Sequence, residues 1–369
     1  MPQPLSGLLV LDFTTLLPGP LATLMLAEAG AEVIKIERPG GETMRGIPPL
    51  WDGEGAAFAM LNRGKTGLVL DLKADSDRAR LGPLLARADI LVEQFRPGVM
   101  AELGLGYDAV RTKNPRIVYC SISGYGQMGP RAGEAGHDIN YIGATGLLAL
   151  QPGPPAHPQV PPALIADIGG GSFPALINIL LALRQRDITG QGCHLDIAMT
   201  DAMFTFAWHA LAIGAATGRY PGPHELPLAG GSPRYALYRT KDGLLVACGA
   251  LEQKFWDAFC EAIGLATELR NDAADPSATR AAIERIIAGC TADEWRPMFA
   301  RADCCVTIVA SLEEALRDPH FVKRGLFDHL VEGSSGKTIP ALPLPLAPQF
   351  REPPGVKSAP RLSAKPHRA

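Results

Sequence analysis

The chain has 369 residues, of which 47% are hydrophobic and 20% charged, and its formal net charge is −3. This length predicts more than one domain, and the near-neutral charge argues against a nucleic-acid-binding protein, which would carry a basic face. The apolar runs fall short of the roughly 18 residues that a membrane span requires, and the N-terminus has no signal-peptide pattern. We therefore expect a cytoplasmic protein that binds neither nucleic acid nor a membrane.

The first third of the sequence alternates between strands and helices. An apolar strand at 7–13, a helix at 18–30 that stops on a glycine, and a strand at 31–37 form a βαβ unit. Short joins between such elements predict a parallel sheet. The same alternation continues with a strand at 66–72, a helix at 75–87, a strand at 89–95, a helix at 98–114 and a strand at 116–123. The pattern predicts a doubly wound α/β domain.

A nicotinamide dinucleotide is not the predicted ligand of this domain. The fingerprint GxGxxG is missing between the first strand and its helix, where the sequence reads TTLLPGPLATL. The seven cysteines are scattered and include no CxxC pair, so neither a zinc site nor a disulfide framework is predicted. Free thiols in a reducing compartment are the simpler interpretation.

The composition of the sequence changes near residue 150. Residues 151–162 are proline-dense and predict no regular structure. A short strand ending at Asp167, a glycine turn and a helix ending near Gly190 follow, and then a strand and a helix between 193 and 204. A loop at 218–234 precedes a predicted hairpin at 236–250 with its turn at 241–243. Two or three helices are expected within 252–318, whereas the tail beyond 338 is too rich in proline for a compact element.

Three positions are candidates for proton or acyl chemistry. His137 and Asp138 stand side by side in GHDINY, after a glycine-rich loop that lets the backbone approach a ligand closely. The plainer interpretation is a loop that leads into a helix, with Asp138 as its N-cap. Asp167 precedes Gly169, Gly170 and a third glycine, which is more glycine than an N-cap needs. Glu252 alone is an ordinary first-turn helix acid.

Four basic residues lie at strand ends or in loops of the first half. Each is an ordinary surface charge by itself, but together at one sheet edge they would hold a polyanionic ligand. They are Arg38, Arg63, Lys65 and Arg96.

Several segments in this order resemble the class III CoA-transferase superfamily of the carnitine dehydratase and bile-acid-inducible type, and within it the α-methylacyl-CoA racemase branch. The resemblance extends from residue 5 to about 345. It depends on LDFTTLLPGPLATLMLAEAGAEVIKIERPGG, LNRGKTGLVLDLK, FRPGVMAELGLGYD, SGYGQMGPRAGEAGHDINY, LIADIGGG and GALEQKFW.

The resemblance implies an interlocked homodimer. Each chain would have a large Rossmann-like, CoA-binding domain formed by both chain ends and a smaller inserted α+β domain. The predicted boundaries are 1–200 for the first part of the large domain, 201–224 for a linker helix and loop, 225–318 for the small domain and 319–369 for the return to the large domain. The active site would lie between the large domain of one chain and the small domain of its partner.

The resemblance also implies roles for individual residues. His137 and Asp167 would be the two acid/base groups, and Glu252 would orient and charge the histidine. Backbone N–H groups around Asp167 and its glycine turn would hold the enolate oxygen. Residues that would line the substrate site are Asp138, Tyr141, Gly169, Gly170 and Tyr235. No metal or cofactor is implied beyond the coenzyme A of the acyl-CoA substrate.

Three functions remain open at this point. The first is racemisation or epimerisation of 2-methylacyl-CoA thioesters by proton transfer through an enolate. The second is transfer of CoA from an acyl-CoA to a free carboxylic acid, through an aspartyl-CoA thioester on Asp167. The third is a non-catalytic protein that binds acyl-CoA.

Overall fold

The computed structural model describes residues 3–151, 153 and 159–363, and the chain divides into two compact units. The first unit comprises the described residues up to Thr145, those of Pro161–Thr205 and those from Lys323 onward. The second comprises the described part of 146–160 and Phe206–Val322. The first unit therefore contains both ends of the described chain, and the finer domain boundaries stay predictions.

The first half of the chain supplies a mixed set of long and short strands. They are β1 (Leu9–Asp12), β2 (Glu32–Glu37), β3 (Leu50–Trp51), β4 (Glu54–Gly55), β5 (Thr66–Val69), β6 (Ile90–Glu93), β7 (Val118–Ser123) and β8 (Cys193–Ala198). All except the β3–β4 pair join one six-stranded sheet in the order β5-β2-β1-β6-β7-β8, and every neighbouring pair is parallel.

The strand order places a crevice at the carboxyl ends of β1 and β6. Counted in chain order, the six strands lie 3-2-1-4-5-6, the order of a doubly wound dinucleotide-binding sheet. The direction of winding reverses between β1 and β6, so the loops that leave these two strands diverge. Ligands of such sheets bind in the crevice that this divergence opens. The predicted α/β class with a parallel sheet is confirmed.

Helices connect the strands of the first unit. They are α1 (Pro18–Glu28), α2 (Ala56–Asn62), α3 (Asp75–Arg87), α4 (Val99–Glu102), α5 (Tyr107–Lys113), α6 (Asp138–Ala144), a π-helix (Ala166–Ser172), α7 (Phe173–Thr189) and α8 (Asp201–Phe206). The single helix predicted at 98–114 is wrong. Gly104, at φ 70°, lies between α4 and α5 and ends the first of them.

Helix α1 is buried along its whole length, which explains its largely apolar composition, and its one charged residue, Glu28, pairs with Arg63. Pro18 begins it, where a missing N–H costs nothing, and Gly30 follows it at φ 102°, a conformation that glycine adopts without strain. Leu21, Leu24 and Met25 pack with Leu344 from the C-terminal region. The opposite face of the sheet is covered by a separate cluster that includes residues of α3 and α5.

The strand predicted to end at Asp167 is wrong. The segment Ala166–Ser172 is instead a π-helix that continues directly into α7, and α7 ends at Gly190 with φ 73° as predicted. Of the described residues, the combined stretch Ala166–Thr189 is long and apolar enough to cross a membrane by length and composition alone, with a mean hydropathy of 1.5. The prediction from short apolar runs overlooked this stretch. A core helix of a soluble protein passes the same test of length and composition. Helix α7 packs against β7 and β8.

The second unit contains α9 (Trp208–Thr217), β9 (Tyr235–Arg239), β10 (Leu245–Gly249), α10 (Gln253–Ala262), α11 (Pro276–Ile287), α12 (Ala292–Ala302), β11 (Val306–Ile308), α13 (Leu312–Arg317) and α14 (Pro319–Lys323), whose last residue belongs to the first unit. The predicted hairpin is confirmed as the antiparallel pair of β9 and β10. Strand β11, which was not predicted, adds a third antiparallel strand beside β10.

The C-terminal tail is more ordered than its proline content predicts. Strands β12 (Leu330–Glu332), β13 (Thr338–Pro340) and β14 (Val356–Ser358) form a small sheet. The N–H of Gly64 donates to the carbonyl of Ser358 at 2.8 Å, and that of Val69 donates to the carbonyl of Ser363 at 2.7 Å. Half of the proline-dense segment 151–162 and the last six residues lie outside the described residues.

Candidate active site

A cavity of about 490 Å³ opens at the carboxyl end of the central sheet, in the crevice beside β1 and β6. Loops that leave β1, β6 and β7 form most of its wall, as the switch in winding direction requires. Its lining includes Thr15, Leu16, Gln94, Phe95, Arg96, Gly124, Gly136, His137, Asn140, Tyr141, Asp167 and Met199. Three of the residues predicted for the site, His137, Tyr141 and Asp167, therefore come together, and we call this space the catalytic cavity.

His137 is the N-cap residue of α6. Its extended backbone, at φ −125° and ψ 176°, precedes the helix, and its N–H donates to the Oδ1 atom of Asn140 at 3.0 Å. The residue itself is exposed. The cap geometry fixes the backbone of His137, and the residue lines the cavity. The alternative in which Asp138 is the N-cap is wrong, since Asp138 is the first residue of α6.

Asp138 is buried and does not line the cavity, which corrects its predicted role as a substrate-lining residue. Its Oδ1 atom accepts the backbone N–H groups of Ala166 at 2.6 Å and of Asp167 at 2.9 Å. The N–H of Ile168 donates to the carbonyl of Leu164. These three N–H groups are therefore already paired, and the prediction that the N–H groups beside Asp167 hold the enolate oxygen is wrong for them.

Asp167 is half-buried and its carboxyl lies in the first turn of the π-helix. Burial, together with the nearby charge of Asp138, raises the pKa of this carboxyl to about 6, while the charge of His137 acts in the opposite direction. The opposing effect of His137 means that the imidazole and the carboxyl are close enough to interact electrostatically. A carboxyl with a pKa near neutrality exchanges protons readily at physiological pH.

Tyr141 closes one side of the catalytic cavity. Its hydroxyl donates to the carbonyl of Gly136 at 2.5 Å, and its ring meets Tyr125 edge to face at 5.4 Å. Burial raises the pKa of the phenol to about 12, so it stays neutral. A Cβ on Gly124 or Gly136 would lie 2.4 or 2.6 Å from the Tyr141 ring. Gly124 and Gly136 are thus required by the tyrosine, whereas the sequence led us to expect that the glycines of this loop serve a ligand.

The glycines after Asp167 serve packing rather than an open substrate surface. A Cβ on Gly170 would lie 2.3 Å from the carbonyl oxygen of Met199, and one on Gly171 would lie 2.9 Å from Pro18. Gly169 belongs to the same π-helix and, like Gly170, is not part of the cavity wall. The prediction that Gly169 and Gly170 bind substrate is therefore not supported by their positions.

A second cavity, of about 670 Å³, lies beside the first at the carboxyl ends of β1, β2 and β5. We call it the nucleotide pocket, after the ligand that we propose for it below. Its wall is mostly apolar, with Arg38, Lys73 and Glu102 among its charged residues. Thr15, Leu16 and Phe95 line both spaces. A flat aromatic group in the nucleotide pocket could therefore be joined to a reacting group in the catalytic cavity by a chain that passes these three residues.

The four predicted phosphate-binding residues have different environments. Arg38 is exposed at the nucleotide pocket and Arg96 is exposed at the catalytic cavity. Arg63 and Lys65 are only 2% and 1% exposed. Arg63 pairs with the buried Glu28, so the prediction that these two interior residues hold a ligand is wrong for this structure.

Lys65 belongs to a buried charge cluster under β1. Its Nζ atom donates to Asp12 at 3.0 Å, to Thr23 at 2.8 Å and to Asn62 at 2.8 Å. Burial lowers the pKa of the Lys65 ammonium to about 8. Burial alone would raise the pKa of Asp12, but Lys65 and Lys35 hold it well below its usual range. The cluster supports the loop that follows β1.

Glu252 and Tyr235 belong to the second unit. Glu252 is the exposed N-cap residue of α10, at the start of the helix as predicted. Tyr235, in β9, is 40% exposed and lines a cavity of about 620 Å³ that also includes Arg280 and Cys305. Their approach to His137 stays a prediction.

All seven cysteines are free, and the described residues include no group of three or more His, Cys, Asp or Glu side chains that could hold a metal ion.

The sequence interpretation missed Gln94, Thr15 and Leu16. All three line the catalytic cavity and lie just beyond the ends of β6 and β1. The available signal was their position directly after two buried strands, in FTTLLPGP and EQFRPG. Polar and turn residues at that edge of a doubly wound sheet are site candidates whatever their type.

Comparison with known proteins identifies the family. A family model described as CoA-transferase family III matches residues 5–365. The chain belongs to this family. It is 35% identical to the human protein named alpha-methylacyl-CoA racemase over 330 residues, covering 88% of this chain and 82% of the relative. It is 33% identical to acetyl-CoA:oxalate CoA-transferase of Acetobacter aceti, covering 97% of this chain and 93% of the relative.

Solved structures of family members have the same fold. A crystal structure of Rv3272 from Mycobacterium tuberculosis matches with a TM-score of 0.83 and 28% identity, covering 98% of each chain. A CAIB/BAIF family protein from Brucella suis also matches with a TM-score of 0.83, at 27% identity, covering 99% of this chain and 97% of that chain. The chain is therefore an enzyme of the family III CoA-transferase and racemase superfamily. Because its relatives include both racemases and transferases, membership leaves the reaction open between the two.

Proposed function

We propose that this enzyme is a racemase or epimerase of 2-methylacyl-CoA thioesters. The observation that carries the proposal is the presence of His137 and Asp167 in one cavity, with the pKa of Asp167 raised to about 6. Inversion at an α-carbon needs one base and one acid on opposite faces, each able to take the other role. A carboxyl whose pKa lies near neutrality, in the same cavity as an imidazole, suits that exchange.

The proposed reaction moves one proton off the α-carbon and another onto it. With one enantiomer, ionised Asp167 removes the α-proton, the C–H electrons pass into the enolate, and protonated His137 delivers a proton to the opposite face. With the other enantiomer, neutral His137 is the base and protonated Asp167 is the acid. Each turnover therefore leaves the two residues in exchanged protonation states, which the reverse direction or solvent restores.

The substrate class follows from the nucleotide pocket and its link to the catalytic cavity. We propose that the adenine of CoA occupies the apolar pocket and that Arg38 and Lys73 bind phosphates. The pantetheine chain would then pass Thr15, Leu16 and Phe95, which line both spaces. No cofactor beyond the CoA of the substrate takes part in this proposal.

CoA transfer through Asp167 is the second candidate. The favouring observation is a half-buried carboxyl that opens into the same cavity, in a family whose members include named transferases. The Asp167 carboxylate would attack the thioester carbonyl and expel CoA thiolate, giving a mixed anhydride. The thiolate would attack the aspartyl carbonyl and release the first acid, leaving an aspartyl-CoA thioester. A second carboxylate would then attack the aspartyl carbonyl and expel CoA thiolate, giving a second mixed anhydride. The thiolate would attack the carbonyl of the second acid, which forms the new thioester and releases the Asp167 carboxylate.

We also propose that the enzyme is an interlocked homodimer, in which the small domain of one chain brings Glu252 and Tyr235 to the cavity of the other. In support, α7 exposes a row of large apolar side chains: Ile177 is 56%, Leu181 63% and Ile188 70% exposed. Such a surface on a long helix is typical of a buried interface. Light scattering of the purified protein tests the proposal, since a monomer at micromolar concentration would contradict it.

The test of function uses one chiral 2-methylacyl-CoA in D₂O, followed by an acyl-CoA with free carboxylic acids. We expect deuterium at the α-position and loss of optical purity, with no CoA on the free acid. CoA on the free acid, with Asp167 trapped by hydroxylamine or borohydride, would instead establish the transferase. If neither reaction occurs while CoA esters still bind, the protein is a non-catalytic acyl-CoA-binding member of the family.

A further inference from the structure

The loop between β1 and α1 contains an unusual turn at the junction of the two cavities. Leu16 has φ 60°, in the left-handed region that a leucine rarely adopts. It lines both the catalytic cavity and the nucleotide pocket, together with Thr15 and Phe95. A strained residue of this kind persists only where its surroundings determine the backbone.

Gln94 holds the backbone on both sides of Leu16. It lies just beyond the end of β6, and both ends of its side-chain amide are bound to the turn. The Nε2 atom donates to the carbonyl of Thr15 at 2.9 Å, and the Oε1 atom accepts the N–H of Gly19 at 3.0 Å. One side chain thus spans the two flanks of Leu16 and fixes their separation.

The same turn is joined to the helix that carries Asp167. The hydroxyl of Ser172 donates to the carbonyl of Pro18 at 2.8 Å, and Gly171 packs closely on Pro18. On the opposite flank, the N–H of Thr14 donates to Asp12 at 2.9 Å, and the Nζ atom of Lys35 donates to the carbonyl of Thr14, also at 2.9 Å. At the centre of the turn, the carbonyl of Thr15 is held by Gln94.

We infer that Gln94 is a positioning residue, which holds the Thr15–Leu16 turn so that a thioester crossing from the nucleotide pocket places its α-carbon between His137 and Asp167. The inference rests on the proposed function in so far as it names the acyl-CoA as the group positioned. Loss of the clamp would let the turn relax toward an ordinary φ and displace Leu16 from the junction. The bound thioester would then be held less often in the reactive geometry, which lowers kcat more than it raises KM.

The test compares Gln94→Leu with Asn114→Leu. Asn114 is a matched control, because both ends of its side-chain amide also bind backbone groups in the first unit, but it lines neither cavity. Its Nδ2 atom donates to the carbonyls of Leu85 at 3.0 Å and Ala88 at 2.7 Å, and its Oδ1 atom accepts the N–H of Arg116 at 3.2 Å. We expect Gln94→Leu to lower kcat by at least tenfold with KM changed less than threefold. Asn114→Leu should lose stability in urea with kcat unchanged. Gln94→Glu, which keeps the acceptor but not the donor, should fall between wild type and Gln94→Leu.

Two results would overturn the inference. One is a kcat for Gln94→Leu within twofold of wild type, and the other is an equal loss of kcat in Asn114→Leu at the same loss of stability. If the wild-type protein catalyses neither proton exchange nor CoA transfer, the proposed function has failed. The positioning role is then decided by calorimetry with 2-methylpropanoyl-CoA and free CoA. The quantity compared is the difference between the affinities for 2-methylpropanoyl-CoA and for free CoA. The positioning role is supported if Gln94→Leu removes the difference that the wild type shows, and it is wrong if that difference is unchanged.

Discussion

The Oδ1 atom of Asp138 accepts the backbone N–H of Asp167 at 2.9 Å. The residue beside one candidate acid/base group therefore fixes the backbone that carries the other. It also accepts the N–H of Ala166, so the start of the π-helix is tied to the first residue of α6. The negative charge of Asp138 contributes to the raised pKa of Asp167. The backbone position and the pKa of Asp167 thus both depend on Asp138, a residue that does not line the catalytic cavity.

Asp138→Asn should move the acid limb of the kcat/KM profile to lower pH for the enantiomer whose α-proton Asp167 removes. The amide oxygen still accepts the two N–H groups, but the charge that disfavours ionised Asp167 is gone, so the pKa of Asp167 falls below its present value near 6. Rates measured between pH 4 and 8 check this, and an unmoved acid limb would contradict it. Asp138→Ala is the structural comparison. It leaves two buried N–H groups without a partner, which destabilises the fold by about 1–3 kcal/mol for each unpaired group.

Asp167→Asn should make the folded state more stable at pH 7 but not at pH 3. Because the pKa of Asp167 is raised from 3.8 to about 6 by burial, the folded state disfavours the ionised form. Wild type loses stability as the pH rises from 3.8 through about 6, and the asparagine variant does not share that loss. Urea unfolding at pH 3, 5 and 7 measures the difference. A variant less stable than wild type at pH 7 would show that the carboxylate is favourably bound after all.

Much of this arrangement could be predicted from the sequence. The βαβ alternation predicts the parallel sheet, and the sequence alone makes His137 and Asp167 candidates for the site. Periodicity could not reveal the π-helix, because the apolar run that ends in Asp167 is equally typical of a buried strand. Nor could it separate ligand-facing glycines from packing glycines. Gly170 is required by the carbonyl of Met199, a contact between segments about thirty residues apart that only the fold creates.

The burial of Arg63 and Lys65 could not be predicted, for a related reason. Arg38 and Lys65 both occur near strand ends, and the sequence offers no measure of their burial. Lys65 is held inside by Asp12, which belongs to a different strand and is itself 0% exposed. A lysine without a visible carboxylate neighbour in sequence is normally assigned to the surface. Only the folded structure shows that Lys65 pairs with Asp12.

His137→Gln should separate proton abstraction from inversion. Under the racemase proposal Asp167 still removes the α-proton of its own enantiomer, but no acid faces the other side of the enolate. We expect racemisation to fall by about 10²–10⁴-fold, while α-deuterium still enters one enantiomer in D₂O with retention of configuration. Chiral chromatography combined with mass spectrometry measures both. Under the transferase alternative, CoA transfer would survive this substitution.

Lys65→Met and Lys73→Met should have opposite consequences. Lys65→Met leaves the carboxylate of Asp12 buried without its ion-pair partner, which should cost about 3–5 kcal/mol of unfolding free energy. Lys73 is exposed at the nucleotide pocket, so its loss should weaken binding of CoA and leave stability unchanged. Urea unfolding and calorimetry with CoA distinguish the two. Weaker CoA binding by a fully stable Lys65→Met protein would restore a direct ligand role for that lysine.

Gly170→Ala should destabilise the fold and impair catalysis together. The new Cβ would lie 2.3 Å from the carbonyl oxygen of Met199, a backbone atom that cannot rotate away, so the π-helix that bears Asp167 must shift. Overpacking of this kind costs about 1–3 kcal/mol. Gly82→Ala, within α3, is the matched control: nothing lies within 4 Å of its added Cβ. That change should raise stability by up to about 1 kcal/mol through helix propensity alone and leave kcat unaltered. If Gly170→Ala has wild-type stability and kcat, the π-helix does not depend on this close contact.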